Sequence, residues 1–489
     1  MLAANVLWSL AAQVLPAVVG VAAVPFILRG LGVERFGVLT LAWMVIGYFS
    51  LFDLGLGRAV TKVAAEVLPL PDRSSLGALV WTAWYMMATV GLLGGLLVAA
   101  VTPWLVNAVI KPPTNLRHET LVSFYLLALS VPIVVTTTGI RGVLEADQRF
   151  DLVAIVRMLT GLLTFLVPLV VLQYSSSLPI IILVLIGVRL AGVVAYGVMC
   201  HRALPDLTRP ARVDRATARR LLSFGTWMTV SNVISPLMVS VDRFFVGALI
   251  SVAAVAYYAT PFEAVTKLQV MAGAISGVVF PAISAASVTD RPRVAQLLAV
   301  AVRSTFAALF PFAIAVIGFA PQALRLWLGD VFAQQSSTVL RLLMLGVLAN
   351  SVAAMPFALL QGIGRSDLTG KLHLVEAPFY FALLTWLVRA HGINGAALAW
   401  CVRVTVDMVA LFWLAGRSLD LRRDWWSSVA LLPAVFVPAL ALGWLELPLL
   451  LKGGLMSGLI VVFVTSWWRR DAPTIARTAV LQLLPRSRG

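Results

Sequence analysis

Long apolar runs separated by short polar segments form the dominant pattern along this chain of 489 residues. Each run is long enough to cross the ~30 Å hydrocarbon core of a bilayer as one helix of about 20 residues. The alternation of polar and apolar positions that marks membrane β-strands is absent, and only helices or closed barrels satisfy backbone groups in lipid. The pattern therefore predicts an all-α polytopic membrane protein. Fourteen transmembrane helices are predicted, near residues 5–28, 37–57, 76–101, 120–143, 152–172, 178–200, 222–249, 253–283, 296–319, 337–361, 370–389, 393–416, 426–446 and 448–468.

The composition agrees with lipid as the main solvent. Hydrophobic residues make up 61% of the chain and charged residues only 12%, too few to cover one soluble globule. The run from Met1 to Leu28 lacks the basic start of a secretory signal and is too long for one, so it is predicted as the first helix. Cys200 and Cys401 lie inside predicted helices and give no basis for a disulfide framework.

The basic residues give a net charge of +16, and their positions explain it. With the N-terminus in the cytoplasm, the inward loops and the C-terminal tail carry 23 lysines and arginines, whereas the outward loops carry 7. This imbalance follows the positive-inside rule for membrane proteins. Both termini are therefore predicted to be cytoplasmic, and the basicity requires no nucleic-acid partner.

Motifs for metal, nucleotide or enzyme chemistry are missing. His118, His201, His373 and His391 are far apart in sequence and lack ligand spacing, so neither a metal nor another cofactor is expected. The chain lacks the phosphate-binding motif G-x-x-x-x-G-K-[ST], which excludes an ATPase. No predicted outward loop much exceeds about twenty residues, which leaves little room for an external catalytic loop. A transporter is therefore favoured over an enzyme.

An internal repeat relates two halves of the chain. A shift of 216 residues aligns LEADQRFDL (144–152) with LQGIGRSDL (360–368), which share Leu, Arg, Asp and Leu. A shift of 214 sets Val188-Arg189 against Val402-Arg403. Two matches nearly in register predict two related six-helix halves with parallel topology.

The predicted domains follow from this repeat. Residues 1–200 form an N-terminal lobe and residues 222–418 a C-terminal lobe. A charged cytoplasmic linker, residues 201–221, joins them, because Pro205 and Pro210 interrupt any continuous helix there. Residues 419–489 add two more helices and a cytoplasmic tail.

Charged groups near the bilayer midplane are the candidate functional residues, since each costs at least about 2.5 kcal/mol to insert. Arg189, Glu263, Lys267, Arg403 and Asp407 lie nearest the predicted midplane. Glu263 with Lys267, and Arg403 with Asp407, are each spaced i,i+4 and can form a local ion pair. If the two charges of each pair neutralise each other, both pairs have only a structural role. Arg189 has no acid one turn away and is the best single candidate. The alternative is a structural role, in which Arg189 pairs with an acidic residue of another helix, such as Asp407 or Glu263.

Charged motifs at the cytoplasmic ends of helices are predicted to be structural or gating elements. They are Asp53 and Arg58 after the second span, Arg149 and Asp151 in the first repeat loop, and Arg365 and Asp367 in the second.

Four sequence segments spread over the chain resemble those of a known family. They are PFILRGLG (25–32), LFDLGLGR (51–58), VDRFFVG (241–247) with AYYA (256–259), and GINGAALAW (392–400). In order and position they resemble the polysaccharide and O-antigen flippases of the multidrug/oligosaccharidyl-lipid/polysaccharide transporter superfamily.

The resemblance implies two six-helix lobes around a central cavity that opens alternately to each side of the bacterial inner membrane. It implies a cargo of oligosaccharide on undecaprenyl diphosphate, for O-antigen or exopolysaccharide assembly, with membrane lipids, a glycan polymerase and glycosyltransferases as partners. Basic cavity residues meet the diphosphate in this family, which assigns substrate binding to Arg189, Arg403, Arg157 and Arg141. Arginine suits this role because it offers bidentate contacts to phosphate.

Ion coupling by H⁺ or Na⁺ is predicted at Asp407, with Glu263 and Lys267 as further candidates. Neutralisation of Asp407 by the ion would release Arg403 to bind the diphosphate. Three alternatives to the flippase of polysaccharide precursors stay open: a lipid II flippase, a multidrug or cation antiporter of the same superfamily, and a non-transporting membrane scaffold for glycan assembly.

Overall fold

The computed structural model describes residues 2–49, 56–68, 74–204, 214, 217–219, 238, 241–286, 291–419, 441, 444–445 and 447–470. Its helices are α1 (Leu2–Phe49), α2 (Leu56–Val67), α3 (Ser74–Trp104), α4 (Thr114–Ala146), α5 (Phe150–Val171), α6 (Leu178–Ala203), α7 (Val252–Thr266), α8 (Gln269–Ala286), α9 (Arg291–Leu328), α10 (Asp330–Gly362), α11 (Ser366–Leu419) and α12 (Leu449–Arg470). A π-helical turn, Leu105–Ile110, extends α3. These residues contain no strand, so the all-α prediction is confirmed for them.

Nine helices of this described part are long and apolar enough to cross a membrane. Two of them are long enough to cross twice: Ala11–Phe49 has 39 residues and Asp367–Leu419 has 53, whereas one crossing needs about 20. The nine helices therefore account for eleven of the fourteen predicted spans. The exact number of crossings stays a prediction, because the predicted spans 222–249 and 426–446 lie largely outside the described residues.

The two longest helices are each broken by a glycine between predicted spans. Gly32 in α1 has a φ of 75°, and Gly392 in α11 has a φ of 58°. Residues with a Cβ rarely adopt such positive values. After the break in α11 the two limbs run back along each other as a helical hairpin, since Arg403 lies over Tyr380 and His373 lies 3.4 Å from Asp407. At the turn, a Cβ on Gly395 would lie only 1.9 Å from the carbonyl oxygen of Leu387, so glycine is required there.

One predicted span is interrupted in the structure. The run 253–283 forms two helices, α7 and α8, with Lys267 and Leu268 between them. Backbone bonds tighten to i→i−3 there, from Leu268 N–H to the Val265 oxygen and from Met271 N–H to the Leu268 oxygen, both at 3.1 Å. Hydropathy summed over a window does not detect such a local change of helix geometry, and so the sequence predicts one helix.

The chain divides into two compact units, Met1–Ala256 and Tyr257–Gly489. In the first unit, α4 packs against α1, α2, α3, α5 and α6. Glu119 of α4 connects α4 to α1 and α6. Its carboxylate lies 3.1 Å from Arg35 Nε of α1 and accepts a 2.6 Å hydrogen bond from the Leu178 N–H at the start of α6. A carboxylate at a helix N-terminus also complements the helix dipole.

In the second unit, α10 packs against α8, α9 and α11, and α12 packs on α9. The predicted lobes 1–200 and 222–418 and the final segment 419–489 stay predictions, because most of the linker 201–221 lies outside the described residues.

The two repeat loops share one geometry, as the alignment at 216 residues predicts. Arg149 N–H donates to the Leu144 oxygen at 3.0 Å, and Arg365 N–H donates to the Leu360 oxygen at 2.8 Å. The preceding residues, Gln148 and Gly364, both have a left-handed backbone, with φ of 59° and 77°. This bond pattern is a helix C-terminal cap that needs a left-handed residue, for which glycine has the lowest cost.

The repeat supplies a matched test of stability. Gly364→Ala is expected to destabilise the protein by about 1 kcal/mol, and Gln148→Gly to stabilise it by a similar amount, because a Cβ is strained in this conformation. Thermal unfolding of the purified protein measures both. Gly77→Ala is the control, since a Cβ at Gly77 or at Gly364 meets nothing within 4 Å and only Gly364 has a positive φ. Equal effects of the two alanine variants would contradict the prediction.

Candidate functional site

Arg189 lies at the middle of a membrane helix, as the twelfth of the 26 residues of α6. Its Nε atom is buried and has no hydrogen-bond partner. Leu185 and Gly192, which flank it on the same side of the helix, are buried as well. No carboxylate pairs with Arg189 within the described part of the first unit. The guanidinium thus keeps donors for an anion.

Arg141 of α4 and Arg157 of α5 lie near the same residue of α6. Both act electrostatically on Tyr196, which is two turns beyond Arg189 in α6 and donates a hydrogen bond to the Val153 oxygen at 3.2 Å. Arg141 Nε pairs with Glu145 at 3.2 Å, whereas Arg157 is exposed. Three of the predicted substrate-binding arginines therefore lie along α4, α5 and α6 of one unit.

Arg403 lies in the second limb of the α11 hairpin. It is 8% exposed, and its guanidinium carbon is 5.6 Å from the ring centre of Tyr380 in the first limb, a cation–π distance. Its Nε and Nη1 atoms are buried without a hydrogen-bond partner. Like Arg189, it retains donors for an anionic ligand.

Asp407 faces a histidine in place of the expected arginine. Its Oδ1 atom is 3.4 Å from Nε2 of His373, and the two side chains are only 6% and 15% exposed. Arg403, one turn away, lies over Tyr380. The local ion pair expected between Arg403 and Asp407 is therefore replaced by contacts across the hairpin, where the first limb presents His373 to Asp407 and Tyr380 to Arg403.

Glu376 completes this group. It is close enough to Asp407, Arg403 and His373 to interact with all three electrostatically, and both of its carboxylate oxygens are buried without a hydrogen-bond partner. His373, Glu376 and Tyr380 recur at i, i+3 and i+7, which puts them on one face of the first limb. None of these three residues is among the predicted site residues, although their spacing along one helix face could have grouped them.

The other predicted pair forms locally. Lys267 Nζ lies 3.2 Å from Glu263, and both side chains are about half exposed, so this predicted i,i+4 pair is confirmed. Its exposure favours the structural interpretation over ion coupling.

The four predicted structural and gating residues of the repeat loops form local ion pairs. Arg149 Nε is 3.2 Å from Asp151, and the same distance separates Arg365 from Asp367. The hydrogen bond to Asp151 raises the pKa of Arg149, and the same bond lowers the pKa of Asp151. Arg58 is exposed, and Asp53 lies outside the described residues.

Comparison with known proteins identifies relatives over most of the chain. Residues 26–337 match the family model described as "Polysaccharide biosynthesis protein". A curated protein of Shigella flexneri named "Putative O-antigen transporter" is 29% identical over 415 residues, which cover 84% of this chain and 97% of that protein.

Two solved structures show the same fold. One is an inward-facing multidrug resistance MATE family transporter of the MOP superfamily, with a TM-score of 0.70 and 14% identity over 84% of this chain and 98% of the other. The second is the lipid II flippase MurJ in an inward closed conformation, with a TM-score of 0.69 and 12% identity over 95% and 99% of the two chains. At these identities the likeness concerns the fold alone.

Proposed function

Because the chain belongs to the polysaccharide biosynthesis protein family, we propose that it is a flippase for a lipid-linked oligosaccharide. Its cargo is an oligosaccharide on a polyprenyl diphosphate, which it moves across the bacterial cytoplasmic membrane by alternating access, for O-antigen or exopolysaccharide assembly. Both termini lie in the cytoplasm, where the donor glycosyltransferases work. The similarity to the Shigella O-antigen transporter over 84% of the chain supports this cargo.

Arg189 is the observation that carries the proposal. A partly buried guanidinium at the middle of a membrane helix is costly and persists where it has a function. Its Nε has no hydrogen-bond partner, so the group is prepared for an anion that enters from outside the fold. A diphosphate headgroup provides such an anion, and arginine binds it in a bidentate manner while the polyprenyl tail stays in lipid.

The remaining arginines extend this role. Arg141 and Arg157 are grouped around Tyr196, two turns from Arg189 and toward the cytoplasmic end of α6 in the predicted orientation. They form the entry for the headgroup, and Arg189 forms the deeper contact. Arg403 supplies the corresponding contact in the second unit, with its guanidinium held against Tyr380.

A vesicle assay tests the proposed function. The purified chain is reconstituted into liposomes with a fluorescent polyprenyl-diphosphate oligosaccharide, and a membrane-impermeant quencher reports the fraction in the outer leaflet. We expect the protein to make the inner-leaflet pool accessible within minutes, whereas in protein-free vesicles it stays protected. Accessibility equal to that of protein-free vesicles would overturn the proposal and favour a non-transporting scaffold.

The same vesicles separate the rival cargoes. A multidrug antiporter would move a fluorescent organic cation and leave the lipid in place, since its cavity needs free carboxylates. A lipid II flippase would move lipid carrying a pentapeptide in preference to the oligosaccharide without peptide. We expect transport of the oligosaccharide lipid with little dependence on a peptide.

A further inference from the structure

His373, Glu376 and Asp407 form a cluster of ligand-type atoms inside the second unit. One nitrogen or oxygen from each residue lies within 4.8 Å of those of the other two. His373 and Glu376 come from the first limb of α11, and Asp407 from the second limb. The cluster therefore bridges the hairpin that Gly392 creates.

The distances suit metal ligands better than a hydrogen bond. His373 Nε2 and Asp407 Oδ1 are 3.4 Å apart, beyond the usual 2.7–3.2 Å range, and Asp407 Oδ1 has no hydrogen-bond partner. Bonds of about 2.0–2.2 Å to a tetrahedral zinc ion place neighbouring ligand atoms about 3.4 Å apart. The observed separation is thus that of two ligands on one edge of such a site.

The surroundings make the uncompensated cluster costly. The Asp407 side chain is 6% exposed, and both Glu376 oxygens are buried without hydrogen bonds. Phe357 of α10 stacks on the His373 ring, with 6.1 Å between centroids and 12° between planes. Two carboxylates in an apolar interior require compensating positive charge.

Arg403 supplies one of the two positive charges that the carboxylates require. It acts electrostatically on Glu376, but it lies over Tyr380, and two of its nitrogens form no hydrogen bond. A dication equals the charge of both carboxylates and would also coordinate the imidazole. Together with Arg403 a single proton would balance the charge as well, so the spacing of the three ligand atoms is what favours a metal ion.

We propose that His373, Glu376 and Asp407 bind one divalent transition-metal ion of the zinc class, which ties the two limbs of α11 together. One imidazole and two carboxylates suit zinc and its neighbours better than Mg²⁺ or Ca²⁺, which prefer oxygen ligands alone. This site needs no lipid cargo, so it stands independently of the proposed function. It also replaces the predicted Asp407 switch, whose premise was that Asp407 holds Arg403.

Zinc binding by the purified full-length chain tests the proposal. The protein is stripped with a chelator, titrated with ZnCl₂, and analysed for bound zinc after gel filtration. We expect one zinc per chain and a zinc-dependent rise in the unfolding temperature. His373→Ala and Asp407→Asn are each expected to weaken zinc affinity about 100-fold, as removal of one ligand from a three-ligand site does.

Two control variants keep the result specific. His391→Ala removes an exposed histidine from the same helix, and Glu263→Gln removes a half-exposed carboxylate from the same unit. Both are expected to bind zinc like the unmodified chain. If Asp407→Asn does not fold, Glu376→Gln provides the same measurement without losing the His373–Asp407 contact.

Three outcomes would overturn the proposal: no retained zinc in the unmodified chain, equal loss of affinity in the control variants, or stabilisation by acid in place of zinc. The last would assign the cluster to a proton. Lipid translocation measured with and without chelator reports on the proposed function separately, because transport can persist without zinc.

Discussion

Replacing Arg189 with alanine is expected to lower the rate of lipid translocation about 100-fold. A charge-assisted contact to phosphate in a desolvated site contributes roughly 2–5 kcal/mol, and about 2.7 kcal/mol corresponds to two powers of ten. The loss falls on cargo recognition, because Arg189 Nε forms no hydrogen bond within the fold and its removal leaves no buried partner unpaired. The protein is therefore expected to fold and insert normally.

The vesicle assay with matched protein amounts measures this effect. Arg202→Ala is the control, since Arg202 is an exposed arginine in the last turn of the same helix, and the full rate is expected. Arg189→Lys is expected to retain an intermediate rate, because lysine keeps the charge and loses the bidentate geometry. A normal rate for Arg189→Ala in folded protein would remove Arg189 from the binding site.

Arg403 gives the second large expected effect, and its variants separate charge from shape. Arg403→Ala is expected to slow translocation about 100-fold, for the same reason as at Arg189. Arg403→Lys is expected to slow it about tenfold, since lysine lies less well over the Tyr380 ring and cannot form two parallel bonds to phosphate. Initial rates in the same vesicles provide the comparison.

Arg417→Lys is the control for Arg403→Lys. Arg417 belongs to the same limb and also lies over an aromatic ring, with 5.5 Å from its guanidinium carbon to the centre of Trp413. We expect the Arg417 variant to transport at the full rate, because Arg417 is exposed and lies near the end of α11. Equal slowing of both variants would indicate that arginine–aromatic stacking supports the fold and not the cargo.

Much of the fold follows from local sequence. Of the fourteen spans that the apolar runs predict, eleven are accounted for by nine helices. The breaks at Gly32 and Gly392 fall between predicted spans. The alignment of residues 144–152 with 360–368 predicts two equivalent loops, and both have the same cap and the same Arg–Asp distance. These features depend on residues within one helical passage or one turn, which sequence displays directly.

The candidate site was predicted only in part. Arg189 and Arg403 emerged because charge is conspicuous in an apolar run, and the i,i+4 pairing of Glu263 with Lys267 is confirmed for the same local reason. The partner of Asp407 was wrongly assigned to Arg403. Spacing along one helix identifies the groups that can meet, but it does not rank them against groups of a neighbouring limb.

The sequence by itself determined that this is a membrane protein, that it is helical, and that two of its loops are equivalent, because hydropathy and repetition are properties of short segments. Only the tertiary structure decided which side chains meet across the α11 hairpin. The left-handed turn at Gly392 and the close approach at Gly395 set the register of the limbs, and that register brings His373 and Glu376 to Asp407 and Tyr380 to Arg403. A change of one residue in the register would rotate these groups away from one another by about 100°, which is the angle per residue of an α-helix.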